Sequence, residues 1–189
     1  ERKLQCHRGS GRSCARTLFA IDDVFHRDIE LRLGRVVAFS NGFHGMTLGA
    51  LALTGNKLAR GGAGVPLQHV VRLPYDGYMG ATSRELIHFE HLVNDPSGGC
   101  DAPAAFVVEA VQGEGGLNVA SNAWLQTMAA TAKRMGSLLI IDDVQAGCGR
   151  TGTFFSFERA KIQPDIICLS KSISGFGLPM SLVLIDPSI

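Results

Sequence analysis

The chain has 189 residues, a formal net charge of +1 and a hydrophobic fraction of 46%. This composition is typical of one globular domain or a large piece of one, with enough apolar material for a core. The balanced charge excludes a global field that would draw the chain to nucleic acid or to an anionic membrane, and no apolar run is long enough to span a bilayer.

Residues 1–34 form a separate, basic segment. Arginines and lysines crowd it, and neither helical nor strand periodicity emerges. We expect this segment to be disordered rather than to act as a nucleic-acid-binding arm. No charged-then-apolar leader follows Glu1, so we also expect no secretory signal.

From residue 35 onward the pattern becomes regular. Short apolar runs predict strands, and stretches with helical spacing predict helices between them. The strand runs do not alternate apolar and polar residues, which is typical of a parallel sheet buried on both faces, so we predict an α/β layered domain. The predicted strands are 35–39, 104–108, 138–141, 166–169 and 182–185; the predicted helices are 46–53, one capped by Ser83 that runs to about 93, and one capped by Ser121 that ends near 136; residues 61–64 and 74–80 are predicted loops.

The five cysteines give no sign of a disulfide framework or a metal site. Their number is odd, their spacing is wide and no CxxC pair occurs. Cys168 lies in an apolar run and is expected to be buried. A reducing, cytoplasmic setting suits this pattern, and no metal is expected.

Polar or glycine-rich segments follow four of the predicted strands directly, at 40–45, 109–116, 142–145 and 170–172. In open α/β sheets, ligands bind at the carboxyl ends of the strands. We therefore expect these four segments to meet at one pocket.

Two residues at these strand ends carry distinctive chemistry. Lys171 alone among the five lysines follows a buried strand, and a partly desolvated lysine amine can form a Schiff base. Asp142 ends a strand of aliphatic residues, where a buried carboxylate needs a partner such as the protonated ring nitrogen of a cofactor. Each also has an ordinary interpretation, as a solvated lysine and a turn aspartate.

The neighbouring candidates are ambiguous when taken singly. Phe43 could stack on a cofactor ring or belong to the core, and His44 could be a core histidine. Glu109 and Glu114 could be capping or surface residues. The conjunction of lysine, aspartate and phenylalanine at strand ends of one domain favours a site for pyridoxal phosphate (PLP).

Residues 147–152 match the GxGxxG pattern of dinucleotide-binding turns. In such a site the first glycine directly follows the strand and a helix begins there. Here three residues intervene, and Thr153, Phe154 and Phe155 are poor helix openers. An oxidoreductase that binds a nicotinamide cofactor is therefore a disfavoured alternative.

Several stretches resemble the class III aminotransferases of PLP fold type I: "FVVEAVQGEGG" (106–116), "LLIIDDVQAGCGRTGTFFSFE" (138–158) and "PDIICLSKSISGFGLPM" (164–180). With "VVAFSNGFHGMTLGALALTGN" (36–56) and "PYDGYMG" (74–80), they resemble the diaminobutyrate–2-oxoglutarate aminotransferases, the group that includes the ectoine-pathway enzyme. The resemblance covers residues 35–189. It implies the central part of a PLP-binding large domain, with a mostly parallel sheet and helices on both faces.

The resemblance also implies a role for each candidate. Lys171 would bind PLP covalently and shuttle the proton, and Asp142 would keep the ring nitrogen protonated. Val144 and Phe43 would pack on opposite faces of the ring. The remaining site residues would be Gln145 at the phenolic oxygen, Glu109 near the ring and Asp142, His44 beside Phe43, and Glu114 as a substrate gate that pairs with a distant arginine.

The activity implied is amino-group transfer between L-2,4-diaminobutyrate with 2-oxoglutarate and aspartate semialdehyde with glutamate, in a homodimer or higher homo-oligomer. Another ω-aminotransferase, of the ornithine or 4-aminobutyrate type, and a catalytically inactive fragment are the alternatives. Residues 1–34 lack the Gly-Thr phosphate-binding turn of the family, so they are either disordered or a misread of the coding sequence. The C-terminal small domain of the family is not found before Ile189, so the chain is expected to be an incomplete fragment with doubtful activity of its own.

Overall fold

A six-stranded sheet is the frame of the molecule. The computed structural model describes residues 34–175 and 177–189, so the basic segment lies, except for Gly34, outside the described residues. The sheet order is β2-β1-β3-β6-β7-β8, and two further strands, β4 and β5, form a small antiparallel pair. The strands are β1 (Val36–Phe39), β2 (Val70–Leu73), β3 (Ala105–Val108), β4 (Val111–Gln112), β5 (Asn118–Val119), β6 (Leu138–Asp142), β7 (Ile166–Leu169) and β8 (Leu182–Ile185).

The sheet is mostly parallel, as predicted, with one exception. In the sheet order β2-β1-β3-β6-β7, each strand runs parallel to its neighbours, whereas β8 pairs antiparallel with β7. The expectation that 182–185 is a parallel strand buried on both faces is therefore wrong. A parallel return usually carries a helix across the sheet, but the described part of the connection between β7 and β8, residues 170–181, contains only a 3₁₀ segment, Lys171–Ser174.

Four α-helices flank the sheet within the described residues: α1 (Leu48–Leu53), α2 (Lys57–Gly61), α3 (Arg84–Asn94) and α4 (Asn122–Arg134). Ser121 caps α4 as predicted, because its side chain accepts a hydrogen bond from the Trp124 amide. Ser83 does not cap α3, since its own backbone is already helical; the Thr82 hydroxyl accepts from the Arg84 amide instead. The sequence did not predict α2 or β2. No described helix is both long and apolar enough to cross a bilayer.

Successive residues of each strand point to opposite faces, so the sheet separates two apolar cores. On one face, Phe106, Val108 and Ile141 pack against α3 and α4 around the buried Trp124. On the other face, Val107, Ile140 and Cys168 pack near Leu53 at the end of α1. The predicted burial of Cys168 is confirmed, and helices do lie on both faces.

Tyr75 ties the loop after β2 to the segment that follows β3. Its buried hydroxyl lies 3.0 Å from the Glu109 carbonyl oxygen and 3.1 Å from that of Ala110, and it accepts a hydrogen bond from the Ala120 amide at 3.1 Å. Burial raises the pKa of this phenol well above its usual value, so the hydroxyl stays a donor. One side chain therefore fixes where the 109–120 segment leaves the sheet.

Replacing Tyr75 with Phe should lower the free energy of unfolding by about 1–3 kcal/mol, because buried backbone groups would lose their partner. Urea denaturation measures this loss. Tyr78→Phe is the matched control. Because Tyr78 is exposed, removing its hydroxyl should lower the free energy of unfolding by no more than about 0.5 kcal/mol. Equal losses from the two variants would contradict the assigned role of Tyr75.

Candidate functional site

The four strand ends singled out by the sequence lie side by side. Strands β1, β3, β6 and β7 are consecutive neighbours and run parallel, so the segments that follow them leave from the same edge of the sheet. The structure therefore brings together the segments that begin at residues 40, 109, 142 and 170. This edge is the candidate site.

A buried contact between His44 and Asp142 forms the centre of the site. The His44 Nδ1 atom lies 2.8 Å from Asp142 Oδ2, and the two residues are only 4% and 6% exposed. Burial would lower the pKa of His44, but the hydrogen bond and the negative charges of Asp142 and Glu109 outweigh it and raise that pKa. The pair is therefore a charge-assisted hydrogen bond in an apolar setting.

Two side chains from different elements hold the backbone of the loop that carries His44. The Phe43 amide donates to Glu109 Oε2 at 3.0 Å, and the His44 amide donates to the Thr54 hydroxyl oxygen at 3.0 Å. Glu109 follows β3 and Thr54 ends α1. The loop is thus fixed from both sides, and the position of the imidazole with it.

Glu109 itself sits in an unusual electrostatic environment. Burial raises the pKa of its carboxyl to about 7, although the positive charge of His44 opposes the shift; the negative charge of Asp142 adds to it. A buried carboxyl that titrates near neutrality is typical of functional sites. Glu109, His44 and Asp142 therefore form one electrostatic cluster.

Asp143 faces away from this cluster. It accepts hydrogen bonds from both the amide and the hydroxyl of Ser156, with the amide at 3.0 Å, and it is fully buried. Burial raises the pKa of this carboxyl despite those bonds. Of the two adjacent aspartates, only Asp142 belongs to the candidate site, because successive residues at a strand end point to opposite faces.

Gln145 and Glu114 meet at the outer side of the site. Gln145 Nε2 donates to Glu114 Oε1 at 3.2 Å. A Cβ atom at Gly113 would lie 2.0 Å from Gln145 Oε1, so any larger residue there would displace the Gln145 amide from this position. The predicted gate residue thus contacts the side chain expected at the phenolic oxygen of the ring.

Lys171 begins the short 3₁₀ turn after β7 and is exposed. Its φ of 53° is a conformation that non-glycine residues rarely adopt and that is enriched at functional sites. The desolvation expected for this amine is not supplied by the described residues. Phe43 and Val144 are half-buried and so present part of their apolar surface at the same edge.

The glycine-rich segment 147–152 is a turn that no helix follows. The first regular element after it is a three-residue 3₁₀ turn, Glu158–Ala160. The Gly147 amide donates to the Asp143 carbonyl oxygen at 2.9 Å, which folds the segment back on the end of β6. This geometry lacks the helix N-terminus that a dinucleotide-binding turn needs.

Sequence reasoning missed three residues that support the site. Thr54 holds the His44 amide, and Tyr75 holds the backbone of Glu109. Gln112, also buried, donates to the Ser40 carbonyl oxygen at 2.8 Å and accepts from Asn118. Each of these side chains bonds to backbone in another segment of the chain, so no local pattern reveals it. The one signal in the sequence is a polar residue next to an apolar run, and that signal is weak.

Comparison with protein families gives one match. Residues 7–189 match the family described as aminotransferase class-III. The match begins within the basic segment, upstream of the motifs that carry the resemblance.

Relatives and solved structures agree with this match. A diaminobutyrate–2-oxoglutarate transaminase of Vibrio cholerae is 60% identical over 152 residues, which are 80% of this chain and 36% of the relative. An (S)-enantioselective ω-transaminase from Thermomicrobium roseum is 28% identical with a TM-score of 0.79, covering 95% of this chain and 42% of that one. An ornithine aminotransferase from Toxoplasma gondii, whose active site is described as partly occupied by PLP, is 25% identical with a TM-score of 0.75, covering 96% of this chain and 40% of that one.

The raised pKa of Glu109 predicts a pH dependence of stability. Its carboxyl titrates at about 7 in the fold and near 4.5 ordinarily, so its contribution is fully present below about 4.5 and is lost as the pH rises towards 7. Urea unfolding without added cofactor should show a free energy of unfolding that falls across this window, by an amount on the order of 1–3 kcal/mol from this group.

Glu109→Gln should flatten this decline because the amide does not titrate. Glu114→Gln, which changes an exposed carboxylate on the same loop, should leave the decline intact. An unaltered decline in Glu109→Gln would show that another group causes it.

Proposed function

We propose that this chain, which belongs to the class-III aminotransferase family, forms the cofactor-holding part of a PLP-dependent transaminase. The chain spans 36% of the length of the V. cholerae relative, so the activity is proposed for the longer protein of which the chain would form part, called here the parent protein. The observation that carries the proposal is the buried contact of His44 with Asp142, which ends β6, the strand next to the one that precedes Lys171.

The residues at the sheet edge fit PLP. A carboxylate has about four acceptor positions, and Asp142 uses one oxygen for His44 and the other for the Val144 amide at 3.2 Å. It can therefore accept a further N–H from a ring nitrogen. Phe43 and Val144 supply apolar surface for the ring, and Lys171 supplies the amine.

Bound PLP supplies an aldehyde that takes up the amino group of the substrate and a ring that withdraws electrons. Asp142 would hold a proton on the ring nitrogen, and His44 would hold that carboxylate in position through its hydrogen bond. Lys171 would bind the aldehyde carbon in the resting protein. Its released Nζ would then move a proton at the substrate carbon that bears the amino group.

The remaining candidates would act on the substrate side. The Gln145 amide has a second hydrogen, beyond the one donated to Glu114, that could reach the phenolic oxygen of the ring. Glu114 is exposed and free to exchange Gln145 for an arginine from another part of the parent protein. Pairing with that arginine when no α-carboxylate is bound would make Glu114 the substrate gate.

We propose L-2,4-diaminobutyrate and 2-oxoglutarate as the substrates, with aspartate semialdehyde and glutamate as products. The support is the 60% identity to a transaminase of that name. A role in ectoine synthesis, a homodimeric assembly and a cytoplasmic location remain parts of the proposal. A substrate panel on the parent protein would separate diaminobutyrate from ornithine and 4-aminobutyrate, since the preferred amine donor gives the fastest glutamate formation.

Borohydride reduction of the PLP-loaded parent protein, followed by peptide mapping, tests the proposal. The cofactor should be fixed on Lys171, and Lys171→Ala should abolish the label. Lys161→Ala is the matched control, because Lys161 is also exposed and has a φ of 53°. A label that stays in Lys171→Ala, or that maps to Lys161, would refute the assignment of the cofactor lysine.

Asp142→Asn should slow transamination in the parent protein by several orders of magnitude, because an amide cannot hold the ring nitrogen protonated. Asp143→Asn should change the rate little, since the asparagine oxygen can still accept from Ser156. Single-turnover absorbance changes of the bound cofactor measure both effects. Similar losses in the two variants would contradict the separation of the two aspartates.

A further inference from the structure

The structure points to Thr54 as a positioning residue of the site, which acts through His44; this inference rests on the proposed function. Thr54 is 0% exposed and closes the C-terminal end of α1. It lies ten positions after His44 and contributes no atom to the strand ends themselves. Nothing in the sequence patterns singled it out.

The Thr54 hydroxyl joins the helix end to the loop. Its oxygen accepts from the His44 amide at 3.0 Å, and its proton is shared between the Gly45 carbonyl at 3.0 Å and the Ala50 carbonyl at 3.2 Å. A bond back to the fourth preceding carbonyl is common for threonine in helices and needs no special explanation. The bonds to residues 44 and 45 serve no helix, so their effect is on the loop.

The loop is docked on the helix end at a second point. The Gly55 amide donates to the Gly42 carbonyl oxygen at 2.7 Å. A side chain at Gly55 would meet the Asn41 amide nitrogen at 3.0 Å, so the backbones approach closely here. The loop is therefore held to residues 54 and 55 at positions 42, 44 and 45.

Arg72 makes the helix end itself rigid. Its guanidinium donates to the carbonyl oxygens of Leu53 and Thr54, both at 2.9 Å, and to that of Ala52. Burial and the charge of Arg60 lower the pKa of Arg72 to about 10, so it remains a cation at neutral pH. A cation at a helix C-terminus is stabilising and satisfies carbonyls that have no intrahelical partner.

A chain of contacts thus runs from β2 to the cofactor site. Arg72 fixes the carbonyl of Thr54, the Thr54 hydroxyl fixes the amide of His44, and the His44 imidazole fixes Asp142. Without the hydroxyl, the His44 amide would be buried without an acceptor, and the loop would shift to find one. That shift would turn the imidazole away from the carboxylate that is proposed to hold the cofactor.

The test uses the parent protein and PLP, with the dissociation constant of PLP measured by absorbance titration. Thr54→Val removes the hydroxyl at nearly constant volume and should weaken PLP binding about tenfold, which equals ~1.4 kcal/mol. Thr54→Ser keeps the hydroxyl, so its dissociation constant for PLP should stay within about twofold of that of the unaltered parent protein. In a His44→Gln background, Thr54→Val should have little further effect, because the two residues act through one contact.

Thr131→Val is the matched control. Thr131 of α4 is also 0% exposed, and its hydroxyl donates to Glu90 of α3 rather than to any residue of the candidate site. This variant should lower the melting temperature but leave PLP affinity unchanged. If Thr54→Val and Thr131→Val behave alike, Thr54 is only a structural residue and the inference fails.

Thr54→Ala is measured in parallel, since a smaller side chain cannot clash. If neither hydroxyl-free variant folds while Thr131→Val does, the role of Thr54 is global stability and the inference is likewise overturned. If the unaltered parent protein binds no PLP, it is the proposed function that fails. The two failures are therefore distinguishable.

Discussion

The buried contact between His44 and Asp142 is the constraint around which the rest of the site is arranged. It joins residues that are 98 positions apart, one in the loop after β1 and one at the end of β6. Burying a charged pair costs desolvation that only good geometry repays. The fold supplies that geometry by placing β1, β3 and β6 in register and by holding the loop with Glu109 and Thr54.

The two adjacent aspartates show how one strand end serves two purposes. Asp142 points to the face of α1, where it meets His44, whereas Asp143 points to the other face, where it binds Ser156. The second interaction folds residues 143–156 into a compact turn, which explains why the glycines of 147–152 match a phosphate-binding pattern without its helix. Gly147 serves close packing, since a Cβ there would lie 2.7 Å from the Asp143 carbonyl oxygen, whereas Gly149 and Gly152 have open space around them and adopt φ of 87° and 99°.

The sequence allowed prediction of the elements that are locally encoded. Runs of aliphatic residues predicted β1, β3, β6 and β7, because strands buried on both faces leave few polar positions, and a similar run predicted the less buried β8. Strand β2 was missed because it is only half-buried and includes Arg72, whose charge serves the end of α1 rather than the sheet. The direction of β8 and the role of Thr54 depend on connections and contacts between distant segments, which leave no period in the sequence.

The charges of the cluster are unbalanced in a way that suits the proposed ligand. With Asp142 and Glu109 ionised and His44 protonated, two negative charges face one positive charge, and the described residues bring no further cation into direct contact with the two carboxylates. Burial then favours the protonated form of Glu109, which is the cheapest way to remove the excess. A protonated ring nitrogen beside Asp142 would supply the missing positive charge directly. Burial is thus the main cause of the raised pKa of Glu109 and the charge of Asp142 adds to it, whereas a pyridinium held by Asp142, as proposed, would offset that negative charge.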